Sequence, residues 1–72
     1  MAPATSVVLS SLVYWRIQRG LTQEQLAERI AMQRATVARL EAGHPALVRT
    51  ARLLARALDV QFADLQRQPP KG

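Results

Sequence analysis

Cysteine is absent from the 72 residues, so neither a disulfide nor a thiolate metal site holds this chain together. Histidine occurs once, at His44, and one imidazole makes no metal site by itself. Aromatic side chains are confined to Tyr14, Trp15 and Phe62, which leaves core formation to Leu, Ala and Val. Acids are few as well. Glu24, Glu28, Glu41, Asp59 and Asp64 make no convincing set with His44, and no phosphate-cradling glycine loop or nucleophile–base pair is present. Glu24 and Glu28 stand one helical turn apart, but without a third ligand they read as a solvated face. No catalysis, no metal and no cofactor is therefore expected. The apolar run at 7–15 is too short to span a bilayer, has no basic residue before it and ends at Arg16. Neither a signal peptide nor a membrane contact is expected, and the reading is of a cytoplasmic protein.

What is present suits one small all-α domain with a modest core. Residues 1–5 read as a frayed start, 6–67 as the folded domain and 68–72 as a flexible tail. No strand-period alternation is long enough to build a sheet, and plentiful aliphatic residues favour a compact five-helix bundle. The first helix is expected from a cap at Thr5 or Ser6 to about 19, ending at Gly20. A fourth starts at Pro45 and runs to about 58, closed by Asp59. A short fifth covers 62–67.

The most informative stretch is 21–43. Thr22 can cap a second helix, with Gln25 completing a capping box, and Leu26, Ala27 and Ile30 form its inner face. A third helix is expected over 33–42, with Val37 and Leu40 inward and Gly43 placed to stop it. Helix, tight turn, helix is the framework that admits a second helix to the DNA major groove. On the third helix the outward side is Arg34, Ala35, Ala38, Arg39 and Ala42. Small side chains let a helix sit deep in the groove, and arginine is the commonest donor to guanine O6 and N7. The plain alternative is a surface helix rich in good helix formers.

Charge agrees with a polyanion partner. The net charge is +5, nine of the ten cationic residues are arginine, and between 34 and 56 five arginines face one acid, Glu41. Arg49 and Thr50, near the start of the fourth helix, and His44 in the loop before it are placed to reach the phosphate backbone. Arg52 and Arg56, one turn apart, read as solubilising charges. On the first helix Val8, Leu12 and Trp15 share a side with the stems of Arg16 and Arg19, while Val13, Tyr14 and Ile17 fall outside it. A monomer's surface helix normally carries one apolar stripe, so this excess marks a candidate partner interface.

Gly20-Leu21-Thr22-Gln23, Gln25-Leu26-Ala27, the run from Thr36 through Val37, Ala38, Arg39, Leu40, Glu41 and Ala42 to Gly43, and Ala55-Arg56-Ala57-Leu58-Asp59-Val60 together resemble the Xre and lambda-repressor-like family of helix-turn-helix DNA-binding domains. The resemblance implies a five-helix bundle that binds double-stranded operator DNA, usually as a homodimer on a palindromic site. It assigns base contacts to Gln33, Arg34, Ala35 and Arg39, and a phosphate anchor to Gln23, with Thr22, Thr36, His44, Arg49 and Thr50 as further phosphate contacts. In this family the positions of Arg16 and Glu41 commonly pair, and that structural ion pair is expected here. Two departures stand out. Ala31 occupies the turn position where the family usually has glycine, which implies φ < 0 or modest strain. The loop after Gly43 is about a residue shorter than usual.

The function implied is a sequence-specific transcriptional regulator, most simply a repressor. One alternative is an antitoxin that binds DNA and also a toxin protein through the first helix. Another is a protein-interaction module that binds no DNA, which leaves the arginine-flanked alanine strip without a role.

Overall fold

Apolar residues spaced three, four and seven apart give each helix a stripe, and the stripes meet in one core. The clearest case is Ala51, Leu54, Ala55 and Leu58, all buried on one side of a single helix. The computed structural model describes residues 6–70. The frayed start, Thr5 as a cap and the end of the tail lie outside the described residues. In chain order the elements are β1 (Ser6–Val7), α1 (Leu12–Gln18), α2 (Gln23–Arg29), α3 (Arg34–Glu41), β2 (Ala46–Leu47), α4 (Val48–Leu58) and α5 (Phe62–Gln66). Leu12, Leu26, Val37, Leu54, Leu58 and Leu65 are fully buried where α1, α2, α3, α4 and α5 converge. Among the described residues the fold is the expected bundle of five helices, with a very small sheet added.

That sheet corrects the expected path at both ends of the bundle. Ser6 and Val7 do not begin the first helix; they pair antiparallel with Leu47 and Ala46. Successive β-branched residues at Val7 and Val8 favour extended backbone, and Pro45 holds the segment before Ala46 out of helix. The fourth helix accordingly starts at Val48, not Pro45. The first starts at Leu12, with Ser11 in the N-cap position and no side-chain cap bond. Ser11 is buried instead, its hydroxyl donating to the Asp64 carbonyl and its N–H to the Leu65 carbonyl at 3.1 Å. The start of α1 is thus tied to α5.

Local chemistry sets the other boundaries. The Thr22 hydroxyl accepts from Gln25 N–H at 3.0 Å while the Gln25 side chain accepts from Thr22 N–H at 2.9 Å, completing the capping box. At the start of α5 the Asp64 carboxylate accepts from Gln61 N–H at 3.0 Å. The ends of α1, α2, α3 and α4 share one device, in which a left-handed residue turns the chain and two N–H groups fold back on the last turn. Leu21 N–H meets Arg16 C=O, Met32 meets Ala27, His44 meets Arg39 and Val60 meets Ala55, at 3.1, 2.9, 3.2 and 3.0 Å. The left-handed residues are Gly20, Ala31, Gly43 and Asp59. Ala31 adopts φ +57°, so of the two outcomes open to an alanine in this turn the strained one is realised.

Candidate nucleic-acid interface

Helix α3 turns two faces in opposite directions. Val37 and Leu40 are buried, while Arg34, Ala35, Arg39 and Ala42 are exposed and Ala38 is half-buried. The result is a shallow strip of alanines flanked on each side by an exposed arginine. Gln33, also exposed, occupies the N-cap position in extended conformation at φ −82° and ψ 150°. Its side chain makes no cap bond. The two arginines differ in one respect. Arg34 Nη1 donates to Gln23 Oε1 at 3.2 Å, whereas Arg39 has no side-chain partner among the described residues.

Behind this face a polar assembly joins α1, α2 and α3. Arg16 Nε and Nη2 donate to Glu41 Oε2 and Oε1 at 2.5 and 3.2 Å, and Arg16 Nη1 donates to the Leu21 carbonyl at 2.8 Å. The pair is largely desolvated, with side-chain exposures of 15 % for Arg16 and 6 % for Glu41. An acid in the last turn opposes the helix dipole, and the facing guanidinium offsets that conflict. Gln23 Nε2 also donates to Glu41 Oε1, at 2.9 Å. Gln23 is half-buried and engaged at both ends of its amide, with a second Nε2 hydrogen left over. Sequence spacing gave no sign of this, because the contact needs α2 and α3 to converge.

An open cleft of ≈ 370 Å³ separates α3 from the start of α4 and is lined by Thr36, Arg39, His44, Leu47 and Thr50, among others. Several residues expected to contact DNA are thereby brought to one place. His44 and Arg49 are exposed and Thr36 is half-buried. Thr22 is exposed, its oxygen already accepting the cap bond and its hydroxyl hydrogen still available. Thr50 departs from expectation. At 8 % exposure it forms the floor of the cleft, because the winding of α4 sets it on the same side as Ala51 and Leu54. Neither Arg39, Arg49, Arg52 nor Arg56 has a carboxylate within salt-bridge distance among the described residues.

Elsewhere on α1, Val13 and Ile17 are 37 % and 58 % exposed and Tyr14 is half-buried. Tyr14 meets the edge of Trp15, with ring centroids 5.0 Å apart. Arg19, which the sequence reading left without a task, lies 5.3 Å over the Trp15 ring. It donates to the Leu58 and Asp59 carbonyls at 2.7 and 3.3 Å, capping the end of α4. A basic residue four positions after an aromatic gives no sequence signal for a cap on a distant helix. No group of three His, Asp or Glu side chains among the described residues is arranged to hold a metal ion, and no described helix is long and apolar enough to cross a membrane.

A family profile described as helix-turn-helix matches residues 12–65. The structure is similar to the crystal structure of the hypothetical transcription factor NHTF from Neisseria, with a TM-score of 0.74 and 24 % sequence identity. That likeness covers 96 % of this chain and 90 % of the other, and it concerns the fold. No curated protein matches the chain.

Proposed function

Because the chain belongs to the Xre and lambda-repressor-like helix-turn-helix family, we propose that it is a sequence-specific transcriptional regulator that inserts α3 into the major groove of operator DNA. The observation that carries this reading is the outward face of α3, where Ala35, Ala38 and Ala42 lie between exposed Arg34 and Arg39. A strip this low lets the helix approach the groove floor, and each arginine has donors suited to guanine O6 and N7. Gln33, at the leading end of the helix, is the third base-reading candidate, and Ala35 supplies apolar contact to a thymine methyl. Arg49, His44, Thr22 and Thr36 position the domain through phosphates without reading sequence. Unpaired arginines on this side add a salt-dependent attraction for any duplex. Repression follows from occupying promoter DNA.

The exposed Val13 and Ile17, with Tyr14 beside them, support a second contact surface on α1. Its simplest use is a homodimer that addresses a palindrome with half-sites roughly 34–36 Å apart. In the antitoxin reading the same patch seats a toxin protein. Selection of bound sites from random DNA at moderate salt tests the central claim, and a palindromic product supports the dimer. Replacing Arg39 by Ala is expected to lower discrimination between the selected site and scrambled DNA by about 1–3 kcal/mol per affected base pair. An equal loss on both duplexes, or none, overturns base reading by this residue.

A further inference from the structure

The cleft between α3 and the start of α4 has walls of two kinds. Met32, Leu40, Pro45, Ala46 and Leu47 line it with apolar surface. Leu40 and Ala46 are buried beneath it, whereas Leu47 is left 50 % exposed. The polar groups sit at two levels. Arg39 and His44 are exposed, and Arg39 has no carboxylate within salt-bridge distance among the described residues. Thr50, at 8 % exposure, lies on the floor, and its hydroxyl makes no hydrogen bond among the described residues. No side-chain N or O sealed from solvent goes unpaired among those residues, so this hydroxyl keeps access to solvent through the cleft it lines. A duplex phosphate at the mouth satisfies the cations but gains nothing from aliphatic walls, and it leaves the floor wet. At ≈ 370 Å³ the space falls within the range of small-molecule sites, about 300–1,000 Å³.

We infer that this cleft binds a small carboxylate with an apolar body, and that the bound molecule withdraws Arg39 from DNA. The carboxylate pairs with the Arg39 guanidinium through charge-assisted hydrogen bonds at the mouth. The apolar body covers Leu40, Ala46 and Leu47 and removes their surface from water. A hydroxyl at the inner end of the ligand meets the Thr50 hydroxyl, which both donates and accepts. Binding itself needs no DNA. Its effect on DNA rests on the proposal that α3 reads operator through Arg39, because one guanidinium cannot serve carboxylate and guanine together. Linkage then makes the antagonism mutual: the ligand weakens operator binding by the factor by which operator weakens ligand binding.

Amide NMR shifts of the full chain, titrated with millimolar 4-hydroxyphenylacetate, test the site without DNA. Shifts are expected at Thr36, Leu40, Leu47 and Thr50 and not at Val13 or Ile17. Acetate, which lacks the body, and 4-hydroxyphenylacetamide, which lacks the charge, are expected to bind at least about tenfold more weakly. Arg39→Ala is expected to weaken the probe about tenfold and Leu47→Ala about fivefold. Thr50→Val, which keeps shape and loses the hydroxyl, is expected to erase any advantage over phenylacetate; urea melts check that each variant folds. Saturating probe is expected to lower affinity for the best site selected from random DNA about tenfold, and for Arg39→Ala by less than about twofold. Acetate at the same concentration controls for ionic strength. Inorganic phosphate or the carboxamide binding as tightly as the probe overturns the ligand class, and silence at the cleft overturns the site; neither touches α3 as the reader. Probe bound with operator affinity unchanged overturns the withdrawal of Arg39. A wild-type protein with no preference among duplexes overturns the reading of α3, while the cleft still stands or falls on its own titration.

Discussion

Helices α2 and α3 are held to the rest of the molecule differently from the way α1, α4 and α5 are held to one another. In the second group Leu12, Leu54, Leu58 and Leu65 are fully buried, and the polar ties end on main-chain carbonyls. Ser11 donates to Asp64 C=O and Arg19 to Leu58 C=O. A carbonyl is present whatever residue carries it, so this platform needs apolar volume more than particular identities. In the first group Leu26 and Val37 are buried as fully. Beside one bond from Arg16 to the Leu21 carbonyl, however, the polar ties there run from side chain to side chain: Arg16 to Glu41, Gln23 to Glu41, Arg34 to Gln23. Each depends on both partners. The exposed face of α3, which we propose meets DNA, is thus braced by contacts that depend on particular side chains.

The largest expected effect breaks that bracing. Glu41→Ala strands the Arg16 guanidinium, whose side chain is 15 % exposed, and is expected to lower unfolding free energy by about 3–5 kcal/mol in urea melts. Replacing both members at once, Arg16→Met with Glu41→Leu, is expected to recover most of that loss, because no charge remains buried. A double variant as unstable as the single one removes the distinction between the two regions. In the platform, Leu54→Ala is expected to destabilise by about 3 kcal/mol through lost burial and a cavity. Leu54→Met, which conserves volume, is expected to cost less than about 1.5 kcal/mol by the same melt, and a larger loss contradicts the claim that identity matters little there. The smallest effect has the opposite sign. Ala31→Gly relieves a left-handed alanine that is exposed and packs against little, and is expected to stabilise by about 1 kcal/mol. An unchanged or lowered midpoint refutes strain at that turn.

What was legible in the sequence follows the range of the interactions. The start of α2 was readable because Thr22 and Gln25 complete their box within one turn. The end of α3 was readable because Gly43 supplies the left-handed step. The stripes of α2 and α3 were readable because helical periodicity alone sorts Leu26, Val37 and Leu40 inward and Arg39 outward. The start of α1 was not, since Ser6 and Val7 are claimed by Leu47 and Ala46 from far along the chain. The place of Thr50 turned on one step of helical phase relative to Arg49. Gln23 was hidden for a further reason. Its partners sit on α3, and only the crossing of the two helices decides which end of the amide meets which.

Trp15 is the chain's single tryptophan, and it lines a cleft with Arg19, Asp59, Val60, Gln61 and Asp64, none of them assigned to DNA. Because the Arg19 guanidinium over its ring also grips the end of α4, indole emission reports whether that joint is closed. The domain therefore carries its own fluorescent gauge of folding, made of residues other than those proposed to meet nucleic acid. A variant that loses its operator while the emission stays native has lost recognition; one whose emission shifts has lost the scaffold.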